Sequence, residues 1–427
     1  MRSTILTGLL FMTSFLQAQV APAISESEVS RIEKTLSADN MQGRQVFTPG
    51  IETAAAFIAK EFSEAGLKPI PGSKDFSQHF NMYQPQTTDV VASIDGISME
   101  AGKVVVFSAD TLLTITAGSH YKTVFVKKGD DYRAAFFKYF ESDENVIIFL
   151  DTSFARSFTA LANYFRNNHT PQFENCGNRI FILSPVIPTQ YDIQVRQILV
   201  KKSLTNLAGI LPGKSKSTEM VIFSAHYDHL GIGKPNESGD SIYNGANDDA
   251  SGTTAVITLA KYFGKKNNNE RTIVFVAFTA EEVGEFGSAF FSKKMNSDQV
   301  VAMFNIEMIG TESKWGKNSA YITGYDKSDM GTILQKNLVN TPFKFYPDPY
   351  PQENLFLRSD NAQLAKLGVP AHTISTSKMD SEKFYHQLGD EIGTLDMINM
   401  TEIIRSIGIS AGSIISGRDT PTRVVPY

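Results

Sequence analysis

The chain has 427 residues, 42% of them hydrophobic and 20% charged, with a formal net charge of −5. That length buries a large core and predicts roughly two to three domains, while the mild acidity and the lack of a Lys/Arg-rich block exclude nucleic acid and anionic membrane as partners. Cys176 is the only cysteine, which excludes an intrachain disulfide and any thiolate metal site.

Arg2, the apolar run from Ile5 to Leu16 and the small residue Ala18 read as an export signal over residues 1–18. The mature chain then begins near Gln19 and is periplasmic or extracellular. The apolar run is too short to span a bilayer, so no stable membrane anchor is expected. Residues 19–82 read as the first part of the main domain. Ser25 to Gly66 is helical in pattern, with Ala54, Ala55, Ile58, Ala59 and Phe62 at three- and four-residue spacing before Gly66. From about Tyr83 to Tyr191 the texture changes to short runs such as 103-KVVVFSA-109, 122-KTVFVKK-128 and 145-NVIIFLD-151, separated by turn residues. Residues 83–191 are therefore expected to form a β-rich insertion with few helices. It either covers the mouth of the site or acts as a spacer.

Residues 192–427 return to the main domain and alternate apolar strands with amphipathic helices. The strands are 220-MVIFSA-225, 272-TIVFVAFTA-280, 301-VAMFNI-306 and 370-PAHTIST-376, with a helix at 252-GTTAVITLAKYF-263. Continuous Val/Ile/Phe runs imply strands buried on both faces, and the alternation implies an α/β fold with a largely parallel central sheet flanked by helices. In such sheets ligands gather at the carboxyl ends of the strands. The polar groups lie there: 224-SAHYDHLG-231, 247-NDDASG-252, 279-TAEEVGEFGS-288, 305-NIEMIG-310 and 384-FYHQLGDE-391. Clustered carboxylates repel one another, and metal is the simplest compensation. Zinc accepts imidazole nitrogen and carboxylate oxygen, and two ions about 3.5–4 Å apart clamp a water and a carbonyl together. Two Zn²⁺, three carboxylate ligands and one hydroxide balance to neutrality.

With the segment 38-ADNMQGRQVFTPG-50, these five motifs in order resemble the zinc exopeptidase family of bacterial leucyl aminopeptidases, aminopeptidase Y and glutamate carboxypeptidase. The similarity covers about Asn206 to Leu395 and implies the zinc exopeptidase fold. It implies two Zn²⁺ ions held by His226, Asp248, Glu282, Glu307 and His386, with Asp248 as the bridge. It also implies Glu281 as general base, Asp228 as the acceptor that orients an imidazole, Tyr385 as a hydroxyl on the tetrahedral intermediate, and a cis Asp248-Asp249 bond. The chain departs from the family at Glu307, where aspartate is usual, and at Asn361, where histidine is frequent near the substrate pocket. His229 is left to a supporting place.

The resemblance implies an exported di-zinc aminopeptidase acting on peptide substrates, with a water between the ions and Glu281 as its base. Glutaminyl cyclisation and carboxypeptidase action on the same scaffold are the alternatives. A non-catalytic binding ectodomain is a further one, opposed by retention of the ligand set. The insertion sits where many relatives carry a protease-associated domain, although its glycine pattern does not match that domain.

Overall fold

The computed structural model describes residues 23–426, apart from 141, 169, 170 and 175. The expected export signal at 1–18 lies outside the described residues. Among them, no helix is long and apolar enough to cross a membrane.

The strands Lys216–His226, Arg271–Phe278, Val300–Ile306 and Ala371–Ser375 form the parallel centre of a mixed sheet of 12 strands. Their residues alternate between the two faces, as a period of two requires. Phe223, Phe275 and Phe304 face one side, where Phe223 stacks at 5.6 Å on Phe275 and 4.8 Å on Phe304. Ile222, Val274 and Met303 face the other. Truncating such a buried phenylalanine costs about 3–5 kcal/mol. Helices Glu26–Leu36, Pro49–Glu64, Ser251–Lys266 and Met397–Ser410 cover the phenylalanine face, and Phe291 and Leu364 cap the opposite one.

The helical stretch expected over Ser25 to Gly66 is two helices rather than one. Gln42, Gly43 and Arg44 take positive φ, and Pro49 opens the second helix. A chain turning through left-handed φ cannot continue a right-handed helix.

The strand Ser77–Ile94 pairs antiparallel with residues 191–207 of the strand Tyr191–Leu211 and extends the main sheet outward, so the expected boundary at 83 falls inside a continuous strand. Beyond them stands a separate sheet in the order Val104–Phe107, Arg179–Leu183, Val146–Leu150, Lys122–Val126. Two helices, Tyr132–Phe140 and Ala155–Asn168, accompany these strands. The first of them, 132-YRAAFFKYF-140, has the aromatic content of a strand. Phe136 and Phe140 nevertheless pack on Phe107 of the small sheet, at 6.2 and 4.9 Å between ring centroids.

Candidate metal centre

The parallel strands deliver their site residues at the carboxyl edge. His226 ends its strand, Glu307 directly follows Ile306, and Glu281 and Glu282 follow Phe278 across the short link Thr279-Ala280. Asp248 lies in the tight turn ahead of helix Ser251–Lys266, where the Asp248-Asp249 peptide bond is cis. His386 arrives on the loop after Ala371–Ser375. Ala280, Met308 and His386 hold φ of 60°, 52° and 56°, each next to or at a site residue. Left-handed φ at non-glycine residues is uncommon and persists where the surroundings over-determine it.

Two groups of ligand-type side chains share Asp248. One comprises His226, Asp248 and Glu307, the other His229, Asp248 and Glu282, and within each the ligand atoms lie within 4.8 Å of one another. His386 Nε2 joins the second group, 3.3 Å from Asp248 Oδ2 and 3.0 Å from Glu282 Oε2. His226 Nε2 lies 3.3 Å from Asp248 Oδ1. Even so, His226 Nε2, Asp248 Oδ2 and Glu307 Oε2 are buried without a hydrogen bond. Buried polar atoms left unpaired are expensive unless a ligand satisfies them. Oxygen and imidazole nitrogen converging this way suit a divalent cation such as zinc. Glu307 thus reaches the group despite the extra methylene relative to aspartate.

The next layer is built from carboxylates that hold the backbone. Asp249 accepts from the amides of Gly252 at 3.0 Å, Met308 at 3.1 Å and His226 at 3.3 Å, and so ties three ligand-bearing segments together. Asp390 accepts from the amides of Asn247 at 2.8 Å and Asp248 at 3.0 Å. The Asp228 carboxylate accepts from the amides of Glu281 at 3.1 Å and Glu282 at 3.3 Å. This revises the place expected for Asp228. Its Oδ1 is 3.9 Å from His226 Nδ1, whereas its backbone carbonyl is 3.2 Å from that nitrogen. The carboxylate is committed to the glutamate turn, and the carbonyl orients the imidazole.

Arg44, fully buried, threads the N-terminal segment into this layer. Its guanidinium donates to the carbonyls of Tyr227 and Leu36 at 2.8 Å, Asn244 at 2.6 Å and Gly245 at 2.9 Å. Asn361 is equally buried and donates to the carbonyls of Phe356 and Ala371, so it serves local packing in place of the histidine frequent in the family.

The electrostatics demand positive charge. Burial opposes the protonated form of His386, yet its close contacts with the Asp248 and Glu282 carboxylates lift it to about 10. His226 is raised as well: burial opposes this, and Glu281 and Asp248 outweigh burial. Burial pushes Glu281 well above the usual carboxylate range; His226 pulls it down, while Glu307, Asp360 and Glu282 push it further up. Glu307 is raised for the same first reason. Tyr385 is raised by burial and by the surrounding carboxylates, and its ring stacks on His386 at 3.9 Å. A divalent cation relieves such mutual repulsion among acids.

All eight residues singled out from sequence lie at this edge or in its support. Four supporting groups were not anticipated in these places: Arg44, Asp390, the buried Asp360, and His229 against Glu282. The acids stood beside residues already noticed, Asp360 next to Asn361 and Asp390 within 384-FYHQLGDE-391.

An α/β sheet with imidazoles and carboxylates gathered at its parallel carboxyl edge defines a metal-dependent hydrolase scaffold. Residues 206–408 match the model of Peptidase family M28. Aminopeptidase YwaD of Bacillus subtilis is 31% identical over 118 residues, which is 27% of this chain and 23% of that protein. The chain thus spans about a quarter of that curated relative. An aminopeptidase from Aneurinibacillus sp. strain AM-1 shares the fold, with a TM-score of 0.54 and 16% identity over 95% of this chain and 96% of that one. A glutaminyl cyclase of Porphyromonas gingivalis shares it too, with a TM-score of 0.51 and 11% identity over 92% and 100%.

Proposed function

We propose that the protein is an exported di-zinc aminopeptidase that removes N-terminal residues from peptides. The observation that carries this is the pair of ligand groups meeting at Asp248, with Glu281 adjacent to Glu282 in sequence and embedded in the same charge cluster. His226 and Glu307 would hold one ion, Glu282 and His386 the other, and Asp248 both. Bound there, zinc supplies Lewis acidity toward a substrate carbonyl and a water.

The chain's own residues do the rest. Glu281, its proton affinity raised by burial, takes a proton from the attacking water and passes it to the leaving amine. The Asp228 carboxylate fixes the Glu281 amide, so this base is held in place. The Tyr385 hydroxyl, kept protonated by burial and the acids around it, is available as a donor to a developing oxyanion. Two ligand groups sharing one carboxylate favour hydrolysis at paired ions over cyclisation at a single ion.

The test is a series of aminoacyl-anilides with wild type beside Glu281→Ala. Near-complete loss of turnover with zinc content retained is expected. Turnover that survives in Glu281→Ala removes the general-base assignment, and no turnover of any anilide by wild type removes the aminopeptidase assignment.

A further inference from the structure

We propose that His229 is a positioning residue: it holds Oε1 of Glu282 and leaves Oε2 as the atom that Glu282 offers to a cation beside Asp248 and His386. The inference rests on the di-zinc assignment and deepens it. The His229 Nδ1 lies 2.7 Å from Glu282 Oε1, a full hydrogen bond, but 4.0 Å from the nearest Asp248 oxygen. His386 Nε2 lies 3.0 Å from the other glutamate oxygen, Oε2. The two imidazoles thus take one oxygen of Glu282 each. His229 is on the side away from solvent, its side chain fully buried, whereas His386 is 34% exposed.

The His229 ring has little freedom to do otherwise. Its backbone amide donates to the Arg44 carbonyl at 3.2 Å. A Cβ on Gly245 would lie 2.5 Å from His229 Cδ2, so the glycine backbone packs flush against the imidazole. Gly245 is fixed in turn, since its carbonyl accepts from Arg44 at 2.9 Å and its φ is 54°, a region that favours glycine. Arg44, Gly245 and His229 therefore form a chain of contacts from the N-terminal segment to Glu282. The partner of a ligating carboxylate fixes which oxygen faces the ion, and losing such a partner weakens metal affinity. Nδ1 makes this contact, the carboxylate oxygen accepting, and Nε2, buried and without a hydrogen bond, takes no part in it.

The experiment is a zinc titration of the full chain, stripped of metal, against a chromophoric chelator, with cobalt(II) absorption spectra alongside. Wild type should bind two equivalents. His229→Ala should lose about 10–100-fold in affinity at one site only, with the other unchanged. His229→Asn, whose amide nitrogen stands where Nδ1 stood, should return close to wild type with an unaltered cobalt spectrum. Circular dichroism of the stripped variants checks folding, and if His229→Ala does not fold, His229→Asn against wild type decides alone. Unchanged affinity in His229→Ala overturns the proposal. So does a His229→Asn variant with lost affinity and an altered cobalt spectrum, which would make the imidazole itself a ligand. A wild type that binds no zinc instead removes the di-zinc assignment on which the proposal stands.

Discussion

Gly252 is the second residue of the helix that follows the Asp248-Asp249 turn, and replacing it with alanine strikes the support of the metal centre without touching a ligand. A Cβ there would sit 2.0 Å from the Ile306 carbonyl oxygen and 2.5 Å from both oxygens of Asp249. Both neighbours are fixed: one is strand backbone, the other a carboxylate that holds His226, Gly252 and Met308 by their amides. Overpacking of this kind costs about 1–3 kcal/mol. Stretching bonds to a charged acceptor adds roughly 1.5–3 kcal/mol. Alanine returns only about 1 kcal/mol of helix propensity. The net expectation is a loss of about 1.5–5 kcal/mol, read from urea unfolding with the slope unchanged. The displaced Asp249 should also weaken zinc binding, because Met308 adjoins Glu307. Unfolding and zinc affinity both indistinguishable from wild type would refute the claim that Asp249 is a rigid tie.

Glu281→Gln preserves shape and removes the base; turnover of an aminoacyl-anilide should fall about 10²–10⁴-fold, with zinc per chain, measured by atomic emission, unchanged. Chelation should lower the unfolding free energy, by about 3 kcal/mol for each site at which zinc had stood at 100 times its dissociation constant, because it returns the buried acids to mutual repulsion. Glu33 tests a pH dependence away from the ligands. Burial raises its pKa from the ordinary 4.5 to about 8, against a hydrogen bond from Thr254 and the charge of Arg44. The folded state then keeps a proton that the unfolded chain releases. Its contribution is present below pH 4.5 and is lost as pH rises toward about 8. Glu33→Gln should flatten that decline in denaturant melts, and an unchanged slope would contradict it.

Part of the candidate site was legible because His226, Glu281, Glu282 and Glu307 stand at or just beyond continuous apolar strands: 221-VIFSAH-226, 273-IVFVAFTAEE-282 and 302-AMFNIE-307 each announce both the strand and its polar end, whereas Asp248 precedes a helix and His386 lies on a loop. The division of labour inside HYDH was not legible. Asp228 and His229 both find partners in the Glu281-Glu282 turn, 53 or 54 positions away, and only side-chain geometry decides which atom meets which. Arg44 was silent for a different reason. Its partners are four backbone carbonyls, which carry no residue identity. In the insertion, Tyr132–Phe140 shows composition misleading: aromatic residues favour strands in general, but here they fill the gap over Phe107 and Phe181 as a helix.

The most direct measurement is mass spectrometry of the products when the zinc-loaded protein acts on an unblocked peptide that begins with glutamine. The prediction is release of free glutamine and a peptide shortened by one residue at its N-terminus, with neither seen when the α-amino group is acetylated. Loss of ammonia with the peptide otherwise intact, or shortening from the C-terminus, would contradict it.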